Sequence, residues 1–98
     1  MAITKIVKYQ VQYAANRFSP RIWFRSDDGW IGQAVFMPNG ENLPDDTEGS
    51  LHFHQEDFHN VLDLLRNEEP VYYSFVGSGP GNENAIRTYR EEVGEGEN

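Results

Sequence analysis

The sequence predicts an α+β domain, with an antiparallel β-sheet in the order ββββ-α-ββ and one amphipathic helix packed on one face. Apolar and polar residues alternate with a period of two over most of the chain, and one segment, residues 55–67, changes to the helical period. Strands do not alternate with helices, which argues against a parallel α/β sheet. A chain of 98 residues has room for one domain, which we place at residues 1–93, followed by a disordered acidic tail at 94–98.

The first three strands are predicted from this alternation and from the turns between them. Residues 3–13 form one long strand, and residues 21–25 form a second strand after a turn-forming segment. The tripeptide Asp27-Asp28-Gly29 has the Asp-Gly signature of a tight hairpin. Residues 30–37 should therefore return antiparallel to the second strand.

An acidic segment, residues 41–49, separates these strands from the fourth. Pro44 and four acidic residues stand here without periodicity, which predicts a mobile loop. Residues 51–54 follow it as a short fourth strand.

The only helix is predicted at residues 55–67. Its apolar residues recur at positions i, i+3, i+4 and i+7, namely Phe58, Val61, Leu62 and Leu65. We expect this stripe to pack on apolar side chains of the second and fourth strands: Ile22, Phe24, Leu51 and Phe53.

The last part of the chain returns to strand periodicity. Pro70 prevents the helix from continuing, and residues 71–76 alternate as a fifth strand. Residues 77–84 form a glycine-rich loop, which we interpret as a hairpin turn because no helix follows it, as one would in a phosphate-binding loop. Residues 85–93 complete the hairpin as a sixth strand, although Ile86, Tyr89 and Val93 also fit a helical stripe.

Charge is segregated along the chain. The net charge is −8, yet the first 26 residues contain five of the eight bases and none of the sixteen acids. Two interpretations remain open: these bases pair with acids across the sheet, or they form one local positive face on an acidic protein.

Composition excludes several classes of protein. Without cysteine there is no disulfide, thiol nucleophile or thiolate metal site. No apolar run approaches the roughly 18 residues of a membrane helix, and the start of the sequence lacks the apolar stretch of a signal peptide, so we expect a cytoplasmic protein. A domain this small buries a limited share of its surface, which favours a homodimer.

The histidines are weak metal candidates. His52 and His54 lie on the same face of the fourth strand, and His59 lies near two acids in the helix, a set that zinc would accept. The alternative is that these side chains are simply polar groups on an outer sheet face. We expect no metal and no cofactor, and because no nucleophile stands beside a base, no enzyme activity.

A basic and aromatic set is the stronger candidate site. Arg21, Trp23 and Arg25 should face outward from the second strand, and Lys8 shares that face from the first. Aromatic rings stack on bases while lysine and arginine neutralise phosphates, which is how proteins hold single-stranded nucleic acid. We expect this to be the only face whose bases have no acids beside them. The alternative is that a dimer partner covers Trp23.

The order of elements and residues 51–61, LHFHQEDFHNV, resemble the single-stranded-DNA-binding transcriptional regulators, the superfamily of the positive cofactor four coactivators and the plant Whirly proteins, and in particular a branch of small uncharacterised cyanobacterial-type proteins. Phe58 stands where an aromatic is usual, and Val61 where an aliphatic follows. The coactivators are basic in the turn before this strand, whereas residues 45–49 here are acidic. The resemblance therefore implies their fold, dimerisation and a sheet-face binding surface, but not their DNA-contacting loop.

From these observations we expect a non-enzymatic regulatory or binding protein. Its sheet face would bind single-stranded nucleic acid weakly. The alternative is an acidic module for protein–protein interaction or dimerisation without nucleic-acid binding.

Overall fold

The computed structural model describes residues 2–15 and 18–89, and the predicted α+β class is confirmed, with one helix packed against two sheets whose strands pair mostly antiparallel. The elements are β1 (Ala2–Lys5), β2 (Lys8–Gln12), β3 (Arg21–Ser26), β4 (Gly29–Met37), β5 (Ser50–His54), α1 (Phe58–Asn67), β6 (Tyr72–Phe75) and β7 (Ala85–Arg87). A turn of 3-10 helix, Gln55–Asp57, leads from β5 into α1. Within the described part of the predicted sixth strand, residues 85–89, the strand is β7; residues 90–93 and the predicted tail lie outside the described residues.

The predicted single sheet is two sheets, with strand orders β1-β6-β7 and β2-β3-β4-β5. The long strand predicted over residues 3–13 divides between them. The amide of Ile6 donates to the carbonyl of Val71 at 2.9 Å, and the next amide, Val7, donates to the carbonyl of Arg25 at 2.7 Å. Consecutive amides thus bond to opposite sheets, a bend that the unbroken alternation of the sequence does not reveal.

Within the four-stranded sheet, β5 departs from the predicted antiparallel arrangement. β2, β3 and β4 pair antiparallel, as the Asp-Gly hairpin predicts, but β5 lies parallel to β4. A parallel neighbour requires the connecting chain to run back along the sheet. Residues 38–49 make this return, and they include the segment 41–49 that was predicted as a loop without periodicity.

The core lies between the inner face of the four-stranded sheet, α1 and β6-β7. The largest fully buried side chains are Ile22, Phe24, Phe36 and Leu51. Phe58 and Val61 of α1 are buried against them, while Leu62, Leu65 and Phe53 are partly buried at the margin. The predicted helix residues therefore do belong to the same core as Ile22, Phe24 and Leu51, and the ring of Phe58 lies 4.9 Å from that of Phe36 on β4.

Asp46 ties the acidic segment to both sheets. Its Oδ1 accepts a hydrogen bond from the amide of His52 at 2.8 Å, and its Oδ2 accepts one from the side-chain amide of Asn84 at 3.0 Å. Its backbone carbonyl accepts one from the hydroxyl of Ser78 at 2.8 Å. These bonds connect β5 with the loop between β6 and β7, contacts that sequence periodicity did not predict.

Candidate nucleic-acid interface

The register of β2 and β3 brings the predicted basic and aromatic residues to one face. Lys8 lies opposite Arg25, and Arg21 and Trp23 project on the same side of β3. We call the set Lys8, Arg21, Trp23 and Arg25 the basic-aromatic face. Because strand side chains alternate between faces, Ile22 and Phe24 point to the core and leave this set on the outer surface.

A row of hydrogen bonds fixes the centre of this face. The indole Nε1 of Trp23 donates to Oε1 of Gln33 at 2.9 Å. The side-chain amide of Gln33 then donates to the hydroxyl of Ser50 at 3.0 Å. The row crosses β3, β4 and β5, so the ring of Trp23 is held at its polar edge.

Two tryptophans border a cleft of about 220 Å³ on this surface. The side chains that line this cleft include Lys8, Trp23, Arg25 and Trp30. Trp30 lies directly opposite Arg25 in the register of β3 and β4. Its side chain is 58% exposed. Arg21 does not line the cleft; it lies farther along β3, where its Nε donates to the carbonyl of Ser19 at 3.4 Å.

The bases of this face are not neutralised by ion pairs within residues 2–15 and 18–89. The single side-chain pair within 4.0 Å there joins His52 to Asp46. Acids do lie nearby, since Asp27 and Asp28 line a neighbouring depression together with Lys8 and Arg25. The prediction that these bases stand apart from acids is therefore wrong at this end of the face, because the hairpin turn carries both aspartates back beside the strand ends.

The histidines are directed to different partners. Nδ1 of His52 lies 3.2 Å from Oδ1 of Asp46, and Nε2 of His54 donates to the carbonyl of Glu41 at 2.7 Å. Throughout the described part of the chain, no three His, Cys, Asp or Glu side chains lie close enough together to hold a metal ion. The imidazoles of His52 and His54 instead connect the acidic segment to β5.

Sequence reasoning missed Trp30 as part of this surface. The Asp-Gly signature alone does not give this placement, because a turn at Asp28-Gly29 would set Asp27 opposite Trp30, whereas the observed turn at Asp27-Asp28 pairs Ser26 with Gly29. A bulge between Phe24 and Arg25 completes that placement by shifting the register by one residue.

In comparisons with known proteins, no family model, no curated protein sequence and no solved structure matched the chain. In the described ranges, none of the helical segments has the length and apolar character that crossing a membrane requires.

Proposed function

We propose that this protein is a non-enzymatic, cytoplasmic binding protein that holds single-stranded nucleic acid on its basic-aromatic face. One observation carries the proposal: Trp23 and Trp30 border a cleft of about 220 Å³ with Lys8 and Arg25 at its rim. Tryptophan rings offer a nucleobase a surface on which to stack, and the basic side chains, which make no ion pair within residues 2–15 and 18–89, are available to phosphates.

Single strands suit this surface better than a duplex. A duplex hides its base faces in the stack, so tryptophan side chains gain nothing from it. The remainder of the chain is acidic, with all sixteen acids beyond residue 26, and would repel a long polyanion outside this face. The bound segment is therefore short, and its affinity depends on salt concentration but little on base sequence.

Fluorescence anisotropy with a labelled single-stranded oligothymidylate at several salt concentrations tests the proposal. Three basic contacts give a slope of log K against log salt of about −2, since each phosphate contact on a single strand contributes about −0.7. Trp23→Ala should weaken binding by about 5- to 100-fold at every salt concentration, as loss of one stacking partner does. Arg25→Ala should reduce the slope by about 0.7.

Arg66→Ala is the matched control, because Arg66 is an exposed arginine near the end of α1, away from the face. It should bind as the wild type does. Absence of binding at low salt would overturn the proposal. Binding that survives combined Trp23→Ala and Arg25→Ala would place the site elsewhere.

The alternative function, self-association, is favoured by a separate observation. β2 is the outermost strand of its sheet, and apolar side chains on it and after it remain exposed: Tyr9 at 38%, Val11 at 40% and Tyr13 at 65%. An exposed apolar edge strand is a template for pairing with another strand. We propose that its occupant is β2 of a second copy.

Charge and side-chain pairing support this choice of occupant. Antiparallel self-pairing centred on Gln10 sets Tyr9 opposite Val11 of the partner copy, an aromatic and β-branched pair that favours sheets. Lys8 then lies opposite Gln12 of the partner copy, so no like charges meet. Such pairing also joins the two basic-aromatic faces into one surface.

Sedimentation equilibrium at micromolar concentration tests the dimer. The wild type should sediment as twice the 11.3 kDa chain, and Val11→Lys should shift it to the monomer, because a charge would enter the apolar pair. Val76→Lys is the control, since Val76 is exposed to the same degree, at 42%, but follows β6. A monomeric wild type, or a dimeric Val11→Lys, would contradict the proposal.

A further inference from the structure

On the other side of Trp30 lies a second cavity, of about 360 Å³, in the gap between the two sheets. Its wall includes the aromatic side chains of Trp30, Tyr73 and Phe75, the hydroxyl residues Thr4 and Ser26, and the acidic residue Glu48. Small ligands are commonly held in concave sites lined by aromatic side chains with a few polar groups among them. We call this the Trp30 cavity.

At two glycines beside this cavity, an aromatic ring packs directly against the backbone. A Cβ atom on Gly32 would lie 2.5 Å from the hydroxyl oxygen of Tyr73, and one on Gly49 would lie 3.0 Å from the indole ring of Trp30. The contact at Gly32 is shorter than real Cβ atoms essentially ever make, and the contact at Gly49 is tighter than nine in ten of those that they make. The rings of Trp30 and Tyr73 are therefore seated against bare backbone, so both walls of the cavity have defined positions.

The hydroxyl of Tyr73 also joins the wall to the acidic segment. It donates a hydrogen bond to the backbone carbonyl of Glu48 at 2.9 Å. Burial raises the pKa of Tyr73 above its usual value, and the nearby carboxylates of Asp46 and Glu48 raise it further. The acidic segment thus places negative charge near Tyr73, which lines the cavity.

The charge balance of the lining selects the ligand. Among the described residues that line the cavity, Glu48 is the charged one, and neither lysine nor arginine is present. An anion is repelled by such a lining. A metal ion, which requires several oxygen or nitrogen ligands, finds a single carboxylate. A cation that carries its own apolar surface suits aromatic rings and one carboxylate.

We propose that the Trp30 cavity binds a quaternary ammonium group, with its methyl groups against Trp30 and Phe75 and its charge balanced by Glu48. A quaternary ammonium has no N–H donors to satisfy, so it requires aromatic faces rather than a ring of hydrogen-bond acceptors. The same chemistry is offered by choline-type small molecules and by a trimethylated lysine side chain. This proposal does not depend on nucleic-acid binding, because Glu48 does not line the cleft on the basic-aromatic face.

Intrinsic fluorescence tests the proposal, because the chain has two tryptophans. In Trp23→Phe, Trp30 is the only tryptophan and reports on the cavity directly. Titration with choline should change its emission saturably. The neutral isostere 3,3-dimethylbutanol should bind at least about 5-fold more weakly, since it keeps the shape but lacks the charge that interacts with the rings.

Glu48→Gln, made in the same background, should weaken choline binding several-fold and leave the binding of the neutral isostere unchanged. Glu83→Gln is the matched control, because it removes an exposed acid that does not line the cavity and should leave both affinities as they were. Thermal melts of each variant verify that the fold is retained. If Trp23→Phe does not fold, saturation-transfer NMR of the choline methyl protons with the wild-type chain gives the same comparison.

A third series distinguishes the two sources of the group. Free trimethyllysine and a short peptide containing trimethyllysine should both bind; tenfold tighter binding of the peptide identifies a methylated protein segment, and equal binding identifies a free small molecule. Equal affinity for choline and its neutral isostere would overturn the proposal, as would an unresponsive Trp30 or an unaltered affinity in Glu48→Gln. Loss of oligonucleotide binding with intact choline binding would overturn only the function proposed for the basic-aromatic face.

Discussion

Tyr9 and Phe24 lie directly opposite each other on neighbouring strands and point to the same side of the sheet, yet their surroundings differ. Phe24 is fully buried, with its ring 5.7 Å from that of Tyr73, whereas Tyr9 is 38% exposed. The alternation around the two residues is the same. What differs is coverage, because α1 and β6-β7 cover β3, β4 and β5 and leave β2 at the margin.

One face of this sheet can therefore serve two purposes. Apolar residues on β3 and β4 hold the domain together, while those on β2 remain available to another molecule. Because the apolar residues of β3 are buried and those of β2 are exposed, substitutions on β3 should change the free energy of unfolding, and substitutions on β2 should change association.

The largest expected effect separates the two facing aromatics. Phe24→Ala should lower the free energy of unfolding by about 3–5 kcal/mol, because it leaves a cavity in the centre of the core. Tyr9→Ala should lower it by about 1 kcal/mol, the typical cost of a substitution outside the core. Urea unfolding, at a protein concentration where the chain is monomeric, measures both values. Equal losses would mean that β2 is covered after all.

A smaller effect tests how closely the covered half is packed. Gly32→Ala places a methyl group in the space of the Tyr73 hydroxyl and should cost about 1–3 kcal/mol, as overpacking of a core does. Gly40→Ala is a useful comparison, because a Cβ atom there meets nothing within 4 Å and reports only the strain of its positive φ of 83°. If Gly32→Ala is neutral in urea unfolding, the ring of Tyr73 is not seated as described.

The smallest expected effect appears in alkaline solution. Because the pKa of Tyr73 is raised in the folded protein, the unfolded chain loses this proton first, and stability should fall as the pH rises above about 10, the ordinary tyrosine value. Tyr73→Phe should make this fall shallower while costing about 1 kcal/mol at neutral pH, through loss of the hydrogen bond to Glu48. Urea unfolding at pH 7 and at alkaline pH, for both proteins, checks the slope. Identical slopes would contradict burial of this hydroxyl.

Much of the architecture could be predicted from local pattern. The spacing of Phe58, Val61, Leu62 and Leu65 predicted the helix and its buried side, since helical period and packing agree there. The Asp-Gly turn fixed the pairing of β3 with β4, and alternation then brought Lys8, Trp23 and Arg25 to one face. These features depend on neighbours in sequence.

Features that depend on distant contacts could not be predicted. The bend at Ile6 and Val7 is set by Val71 and Arg25, and the direction of β5 is set by the path of the preceding loop. The Trp30 cavity left one signal in the sequence, because Gly32 in the middle of an apolar strand indicates a close approach by another group. The approaching group is Tyr73, which lies 41 positions from Gly32, and no local pattern around Gly32 identifies it.

The two amides at Ile6 and Val7 also have a consequence for the order of events during synthesis. The partner of Val7 is 18 positions away, but the partner of Ile6 is 65 positions away, at Val71. β2, β3 and β4 can pair as soon as they leave the ribosome, whereas β1 must wait until β6 has been made. We expect the nascent chain to hold an unpaired β1 until β6 has emerged, so that β1 pairs later than β2, β3 and β4 although it precedes them in the chain.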